Sequence, residues 1–314
     1  MKVAVVGAGN VGKEVFKDLQ RVSMIRELTL VGRNKEKLRA EVEDARDAAA
    51  LRGGYGPKLT FGGYAETGDA DIIIYAAGSS KVKNDRMEML HDNCVIAEEI
   101  FSEISKYNRE AIILCITNPL DVITMKIQKT MEIDPHRVIG SGTLLESARL
   151  TRIIAELMDV SDSSVDVTVV GEHGASAVAL LSSARIMGLD LDEYFQGITD
   201  EVFRLNADRL RQTFKDEPFR IIHGKGYTST GVSAAACRIV AAVASDSREI
   251  LPVSSVLQGE YGVRDVAISV PSVIGKNGIE EIREVRMTED ERRDFSASVE
   301  AVRSAALAEG ILEA

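Results

Sequence analysis

The sequence predicts an α/β fold in which a doubly wound parallel sheet is followed by an α+β domain. Short apolar runs alternate with helical patterns over roughly the first 140 residues, and a glycine-rich turn joins the first strand to the first helix. From Gly142 onward the pattern changes to a long helix, then short strands, then helices again. We therefore expect two domains, spanning residues 1–142 and 143–314.

The apolar runs of the first half predict strands that are buried on both faces. These runs are Val3–Val6, Leu28–Val31, Asp71–Tyr75, Ala111–Ile116 and Arg137–Ile139. Helical patterns lie between them, at Val11–Val22, Asn34–Leu51 and Arg86–Lys106. This alternation indicates a parallel sheet with helices on both sides.

The second half contains two clear local signals. Val165–Val170 is an apolar run that predicts one buried strand. Thr288 and Glu291 form a capping-box pattern, and apolar residues follow at helical spacing from Phe295. A helix should therefore begin just after Thr288.

Composition narrows the classes of function. The net charge of −11 over 314 residues argues against a nucleic-acid partner. Cys94, Cys115 and Cys237 are odd in number and far apart, which is typical of reduced core thiols rather than of a disulfide or a metal site. We expect a cytoplasmic protein without a signal peptide or a membrane span.

The turn Gly7-Ala8-Gly9-Asn10-Val11-Gly12 follows the first strand and opens the first helix. In that context the glycines indicate a Rossmann-type dinucleotide site: Gly7 for the tight turn, Gly9 for approach to a pyrophosphate, Gly12 for close packing. The helix amino terminus then offers free N–H groups to the phosphates.

The end of the second strand distinguishes NAD from NADP. An acid there binds the ribose 2′-hydroxyl of NAD, whereas an Arg suits the 2′-phosphate of NADP. The sequence Leu30-Val31-Gly32-Arg33-Asn34 has no acid at the strand end. The pattern favours NADP over NAD, although Arg33 could also be a solvated residue before a helix.

A histidine between two glycines, in Gly171-Glu172-His173-Gly174, is the strongest chemical candidate. Its side chain can exchange a proton near neutral pH. The earlier stretch Glu146-Ser147-Ala148-Arg149 adds a carboxylate that could orient the imidazole and a guanidinium that could hold a substrate carboxylate.

With these motifs the chain resembles the lactate/malate dehydrogenase superfamily over essentially its whole length. Five ordered motifs carry the resemblance: the glycine turn, residues 116–119 (Ile-Thr-Asn-Pro), 142–149, 171–174 and 224–229. Within the superfamily the chain looks most like the L-2-hydroxyisocaproate and L-lactate dehydrogenase branch. The resemblance implies an oxidoreductase that moves a hydride between a nicotinamide cofactor and an L-2-hydroxy acid.

The resemblance also implies residue roles. His173 would exchange the proton, Glu146 would orient and charge-stabilise the imidazole, and Arg149 would hold the substrate carboxylate. Arg86 would polarise the reacting carbonyl. The substrate would also meet two further side chains, Asn118 and Thr228. The implied cofactor-binding set is Gly7, Gly9, Asn10, Val11, Gly12, Arg33, Gly78, Thr117 and Asn118. A homodimer or homotetramer is expected.

Three departures from the family pattern matter. Glu146 stands where the family usually has Asp, so its stem is one methylene longer. The loop from Gly78 to Arg86 is about one residue short, which leaves the specificity position at Ser80 or at Lys81. Neither residue is the Gln typical of lactate enzymes or the Arg typical of malate enzymes.

Three functions therefore remain open at this point. The pattern favours an L-2-hydroxy acid with one carboxylate, lactate or larger, with a branched side chain as one possibility. Lys81 could instead pair with a second carboxylate, as a malate dehydrogenase requires. A dinucleotide-binding protein without catalysis is the third alternative, and the presence of His173, Arg149 and Arg86 argues against it.

Overall fold

The computed structural model describes residues 1–79, 86–194 and 200–313; the side chains of residues 86–88, 192, 200–209 and 211 fall outside the description. The candidate specificity residues Ser80 and Lys81 therefore lie outside the described residues. Arg86 is described only as the first residue of a helix.

The first segment of the chain builds six strands and four helices in the part that the structure describes. The strands are β1 (Lys2–Val6), β2 (Glu27–Val31), β3 (Lys58–Gly62), β4 (Ile72–Tyr75), β5 (Ile112–Cys115) and β6 (Val138–Gly140). The helices are α1 (Asn10–Leu19), α2 (Lys35–Leu51), α3 (Arg86–Ile104) and α4 (Leu120–Met131). The predicted alternation of strand and helix is confirmed.

These six strands lie in the order β3-β2-β1-β4-β5-β6, and all of them are parallel. This is the doubly wound order of a Rossmann sheet. The direction of winding reverses between β1 and β4. At such a point the loops after the strands diverge and leave a crevice, so a ligand site is expected at the carboxyl ends of β1 and β4.

The second segment builds short strands, long helices and a hairpin. Its elements are α5 (Leu144–Met158), β7 (Val165–Asp166), β8 (Val169–Val170), β9 (Val178–Ala179), β10 (Arg185–Ile186), β11 (Leu189–Asp190), α6 (Leu191–Tyr194), α7 (Asp200–Lys225), α8 (Thr230–Ser245), β12 (Glu249–Gln258), β13 (Arg264–Gly275), β14 (Gly278–Ile282) and α9 (Glu289–Ala308). β12 pairs antiparallel with β6 where Ser254 faces Gly140. The second segment thereby extends the Rossmann sheet with β12, β13 and β14.

Alternate side chains of the strands enter two buried apolar clusters on opposite faces of the sheet. Ala4, Val6 and Ile73 belong to one cluster, while Val3 and Ile72 belong to the other. Period-two burial on both faces is what the continuous apolar runs predict. Burial of these faces against helices holds the strand ends in place, and the site is built at those ends.

Three features differ from the sequence-based expectation. β3 and α4 carry no strong local signal and were not predicted. Val165–Val170 does not form one strand: β7 pairs with β10, whereas β8 pairs with β9. Side chains of α5 and of the residue before it bind the backbone of Val169, because Ser147 Oγ accepts from its N–H (2.9 Å) and Thr143 Oγ1 donates to its carbonyl. These tertiary contacts divide the apolar run.

The local prediction at the start of α9 is confirmed. The capping box is present, with Thr288 and Glu291 bonded to each other's backbone N–H groups at the start of α9. The three cysteines are free thiols, two of them buried. In the described residues no single helix is long and apolar enough to cross a membrane, while Gln212–Lys225 and Thr230–Ser245, bent by 119°, meet the criterion only as a pair.

Candidate active site

An open groove of about 750 Å³ lies at the carboxyl ends of β1, β2, β4 and β5, where the sheet topology predicts a ligand site. All but one of the predicted cofactor residues line it: Gly7, Gly9, Asn10, Val11, Arg33, Gly78, Thr117 and Asn118. The exception is Gly12, which packs against the carbonyl oxygen of Gly7 within the turn. Residues near position 10 and residues near position 118 therefore lie in the same groove.

The glycine turn shows why these positions carry no side chains. Gly7 has a φ of +113°, and a Cβ there would stand 2.7 Å from the N atom of Ala77. A Cβ on Gly12 would stand 1.9 Å from the carbonyl oxygen of Gly7. A Cβ on Gly9, in contrast, would meet no neighbouring atom within 4 Å, so the space in front of α1 is open. None of the described side chains caps α1 at Gly9, which leaves its first N–H groups available to a phosphate.

The far end of the groove is positively charged. Arg33 is exposed there, and Lys37 lines the groove beside it. Asn34 is occupied as the cap of α2, since its Oδ1 accepts from Lys37 N at 3.0 Å. Among the described residues that line the groove there is no Asp or Glu.

A buried asparagine fastens the opposite wall of the groove. Asn93 on α3 accepts from Ser79 N at 2.7 Å and donates to the carbonyl of Asn118 at 2.7 Å. Thr117 donates its hydroxyl to the carbonyl oxygens of Tyr75 (3.2 Å) and Ala77 (2.9 Å). The loops that follow β4 and β5 are thereby held together.

The histidine loop is held by three consecutive backbone N–H groups. Gly171 N donates to the carbonyl of Ser269 on β13 (2.9 Å), and Glu172 N donates to Ser298 Oγ on α9 (2.7 Å). His173 N donates to Asp121 Oδ2 on α4 (2.8 Å). Three separate elements therefore fix the position from which the imidazole projects.

Glu146 reaches the imidazole as the sequence predicts. Its Oε1 lies 2.9 Å from His173 Nδ1, and the two side chains are only 10% and 18% exposed. Burial lowers the pKa of His173, but the charge of Glu146 outweighs it and raises that pKa to about 9. Burial likewise raises the pKa of Glu146, and His173 brings it below its usual value. The buried pair therefore favours a charged imidazolium.

The longer stem of Glu146 changes the geometry of this pair. The ring N–H of His173 is close to the carboxylate but is not aligned for a regular hydrogen bond. The Oε2 atom of Glu146 is buried and forms no hydrogen bond with the described residues. The contact is consequently an ion pair governed by charge and distance.

Arg149 lies one turn along α5 from Glu146 and is buried. Its Nε is 3.6 Å from Glu217 Oε1 on α7. Arg152 engages that carboxylate more closely, with Nη2 at 2.7 and 2.6 Å from its two oxygens. The Nη1 atom of Arg149 is buried with no hydrogen-bond partner in the described part of the chain. A buried cationic donor without a partner can form a charge-assisted hydrogen bond with an anion.

An apolar chamber of about 470 Å³ opens beside His173. Leu90, Leu120, Ala301 and Ala305 form much of its wall. His173 is the single basic side chain among the described residues that line it. The chamber offers room for an apolar group next to the imidazole of His173.

Two predicted residues are placed less directly. Thr228 is half-buried in the short segment between α7 and α8. That segment leads into Gly231, where a Cβ would stand 2.7 Å from Leu145 Cδ1 of α5. The side chain of Arg86 lies outside the described residues, so its predicted role stays a prediction.

Asp121 and Asn93 are the residues that sequence reasoning missed. Asp121 follows Pro119 by two positions, and an acid in the first turn of a helix is ordinary. Its contact with His173 spans 52 residues of sequence. Nothing local distinguishes such a residue from a solvated helix acid.

Comparison with known proteins identifies relatives over the whole chain. A family model described as the lactate/malate dehydrogenase NAD binding domain matches residues 1–140, and one described as the lactate/malate dehydrogenase alpha/beta C-terminal domain matches residues 143–309. L-lactate dehydrogenase 2 of Clostridium acetobutylicum is 33% identical, covering 96% of this chain and 95% of the relative. L-lactate dehydrogenase of Selenomonas ruminantium is 34% identical, covering 99% and 98%.

Solved structures agree with these matches. The minor L-lactate dehydrogenase from Enterococcus mundtii, in its ligands-bound form, is 30% identical to this chain. It superposes with a TM-score of 0.91 and covers 98% of both chains. The described fold is therefore that of known lactate dehydrogenases.

The ion pair predicts that Glu146→Gln lowers the pKa of His173. Without the carboxylate charge, the largest contribution that raises the pKa of the imidazole is lost, and burial disfavours its charged form. The ring-proton NMR signal of His173, one of four histidines, should then titrate well below the wild-type value of about 9. Glu156→Gln is the matched control, because Glu156 lies exposed on the same helix and pairs with Arg152. An unchanged titration in Glu146→Gln would contradict the pairing.

Proposed function

The chain belongs to the lactate/malate dehydrogenase family, and we propose that its substrates are monocarboxylic L-2-hydroxy acids and 2-oxo acids, lactate or larger. Membership makes it a nicotinamide-dependent 2-hydroxy acid oxidoreductase. The observation that carries the proposal is that His173 lines an apolar chamber and pairs with the buried Glu146, one turn of α5 before the buried Arg149.

The proposed roles follow from the positions of these side chains. A bound nicotinamide cofactor supplies or accepts the hydride. His173 gives a proton to the carbonyl oxygen of a 2-oxo acid during reduction and removes it during oxidation. Glu146 stabilises the imidazolium, so the proton is present at neutral pH. Arg149 binds the substrate carboxylate through the donor that has no partner in the described residues.

The residues of the groove fit a dinucleotide. The open space at Gly9 and the uncapped amino terminus of α1 suit a pyrophosphate. Thr117 and Asn118 would line the nicotinamide end, nearer the histidine loop, while Arg33 and Lys37 would line the adenosine end. We assign these residues to the cofactor on that basis.

The apolar chamber supports a substrate with an apolar side chain. Small residues of α9, Ala301 and Ala305, leave space in its wall, and a second substrate carboxylate would find no described lysine or arginine there. Malate dehydrogenase remains the alternative, because Lys81 lies outside the described residues. A non-catalytic binding protein would not need a buried ion pair that keeps His173 charged.

We propose NADP as the preferred cofactor. Gly32 at the end of β2 presents no carboxylate to repel a 2′-phosphate, and the exposed Arg33 and Lys37 offer two positive charges. A ribose 2′-hydroxyl would lack its usual acidic partner at this strand end.

Assembly and compartment complete the proposal. Large apolar side chains are exposed on α7 and on the β10–β11 hairpin, with Phe219 70% and Met187 77% exposed. Such groups favour a homodimer or homotetramer in which they are covered.

Free thiols are typical of a cytoplasmic protein. The domain division proposed at residue 142 falls between β6 and α5.

A substrate panel tests the function. With either cofactor, we expect turnover of pyruvate, 2-oxoisocaproate and phenylpyruvate. The kcat/KM for 2-oxoisocaproate should at least equal that for pyruvate, and the kcat/KM for oxaloacetate should be the lowest.

Ala305→Leu narrows the chamber and should reduce kcat/KM for 2-oxoisocaproate more than for pyruvate. His173→Ala should lose about 10²–10⁴-fold in kcat while still binding cofactor. A preference for oxaloacetate would support the malate alternative, and no turnover at all would support the non-catalytic one.

Binding of the substrate carboxylate is tested with two arginines of α5. Arg149→Ala should raise KM for 2-oxo acids at least about tenfold, because a charge-assisted hydrogen bond contributes about 1.5–3 kcal/mol. Arg149→Lys should recover part of the loss, since Lys keeps the charge without the two-bond fork. Arg152→Ala is the control: Arg152 is more exposed and engages Glu156 and Glu217, so its KM should change far less. Equal effects of the two alanine variants would overturn the assignment of Arg149.

Cofactor choice is tested at Gly32. We expect wild-type kcat/KM with NADPH to equal or exceed that with NADH. Gly32→Asp should reverse the preference by adding the acid, and a Cβ there meets only Leu38 at 3.5 Å, so the substitution fits without strain. Gly32→Ala adds the Cβ without the charge and should leave the preference unchanged. A strong NADH preference in the wild type would contradict the proposal.

A further inference from the structure

We propose that Asp121 is a positioning residue for the acid–base reaction: it holds the backbone of His173 and places a second negative charge against the imidazolium. This inference rests on His173 as the proton-transferring group. It adds a residue of α4 to the roles that α5 and the histidine loop supply.

The geometry of Asp121 is specific. The residue is only 2% exposed, and each carboxylate oxygen has one protein donor. Oδ2 accepts from His173 N at 2.8 Å, and Oδ1 accepts from Ser254 Oγ of β12 at 2.6 Å. The carboxylate therefore joins the histidine loop to α4 and to the central sheet.

The charge of Asp121 needs a partner, because a buried carboxylate without one is unfavourable. No ion pair joins it to a lysine or arginine in the part of the chain that the structure describes. Burial raises its pKa to about 6, while the Ser254 hydroxyl and His173 act in the opposite direction. The imidazolium is thus the cation that offsets this charge.

Other charged groups face His173 and act on it at the same time. Glu146 contacts the ring from α5, with Arg149 close enough to lower the pKa of Glu146. The Gly142 carbonyl also raises the pKa of His173, and Glu172 precedes it in the loop. Glu146 acts on the ring directly, whereas Asp121 acts through the backbone N–H and across space.

The position of Asp121 also connects two functions of the site. It lies three residues after Asn118, in the segment that passes from the cofactor groove into the first turn of α4. The wall of the cofactor groove and the anchor of the proton donor thus belong to one rigid stretch of chain.

Asp121→Asn separates charge from geometry. The amide can keep both contacts, with Oδ1 accepting from His173 N and Nδ2 donating to Ser254 Oγ. We expect the NMR titration of His173 to shift down by about half a pH unit or more. The alkaline limb of kcat for 2-oxo acid reduction should shift equally, with KM little changed because Arg149 is untouched. Asp121→Ala, which removes the anchor as well, should lose more kcat at every pH.

Asp134→Asn is the matched control. Asp134 also accepts a histidine backbone N–H, that of His136 at 2.9 Å, but it is exposed and lies outside the groove and chamber. It should leave both readouts of His173 unchanged. An equal shift in this control, or no shift of His173 in Asp121→Asn, would overturn the proposal.

If the Asp121 variants fail to fold, the proposal can still be tested on proteins in which Asp121 is intact. In the wild type, the His173 signals should show a minor inflection near pH 6 as Asp121 ionises. Ser254→Ala removes a donor to the carboxylate and should move this inflection to higher pH. A single-step titration in both proteins would overturn the role of Asp121. If these shifts appear but no 2-oxo acid is reduced, the proposed function fails while the Asp121 contact stands.

Discussion

The buried ion pair between Glu146 and His173 is the interaction on which the rest of the site depends. Removing a charge from water costs several kcal/mol per ion, and mutual attraction offsets this cost only when the geometry is good and the neighbours are complementary. Here the pair keeps the imidazole charged at neutral pH. Asp121 and Arg149 then add one charge of each sign nearby. The four groups together leave the buried cluster close to neutral, which makes its burial tolerable.

Such a cluster needs a rigid frame, because Coulomb energy in a weakly polar interior changes steeply with distance. The frame comes from elements that are far apart in sequence. β13, α9 and α4 each hold one of three consecutive N–H groups of the histidine loop. β12 supplies Ser254 and also joins the second segment to β6 of the Rossmann sheet. The continuous sheet therefore connects the groove at the glycine turn with the buried pair of His173 and Glu146.

The sequence was informative where the physical signal is local. The glycine turn is recognisable because Gly7 adopts a positive φ and a Cβ on Gly12 would meet the carbonyl oxygen of Gly7, both of which are local requirements. The capping box at Thr288 is equally local. The prediction of a single strand at Val165–Val170 was wrong, because an apolar run does not reveal that Ser147 and Thr143 bind its backbone. Asp121 could not be identified from the sequence for the same reason. Its partners are distant in sequence, and only the folded chain shows that its carboxylate is buried.

The unpaired atoms of the site are as informative as the paired ones. Arg149 Nη1 is buried without a partner among the described residues, and a buried group left without a hydrogen bond costs about 1–3 kcal/mol. Glu217 approaches Arg149 at Nε (3.6 Å) and not at Nη1, so this protein carboxylate does not satisfy the donor. In the role proposed for Arg149, a substrate carboxylate bonds to Nη1 and removes the penalty, whereas an analogue without a carboxylate leaves it in place. Selectivity for 2-oxo acids over simple ketones would thus be built into the free protein.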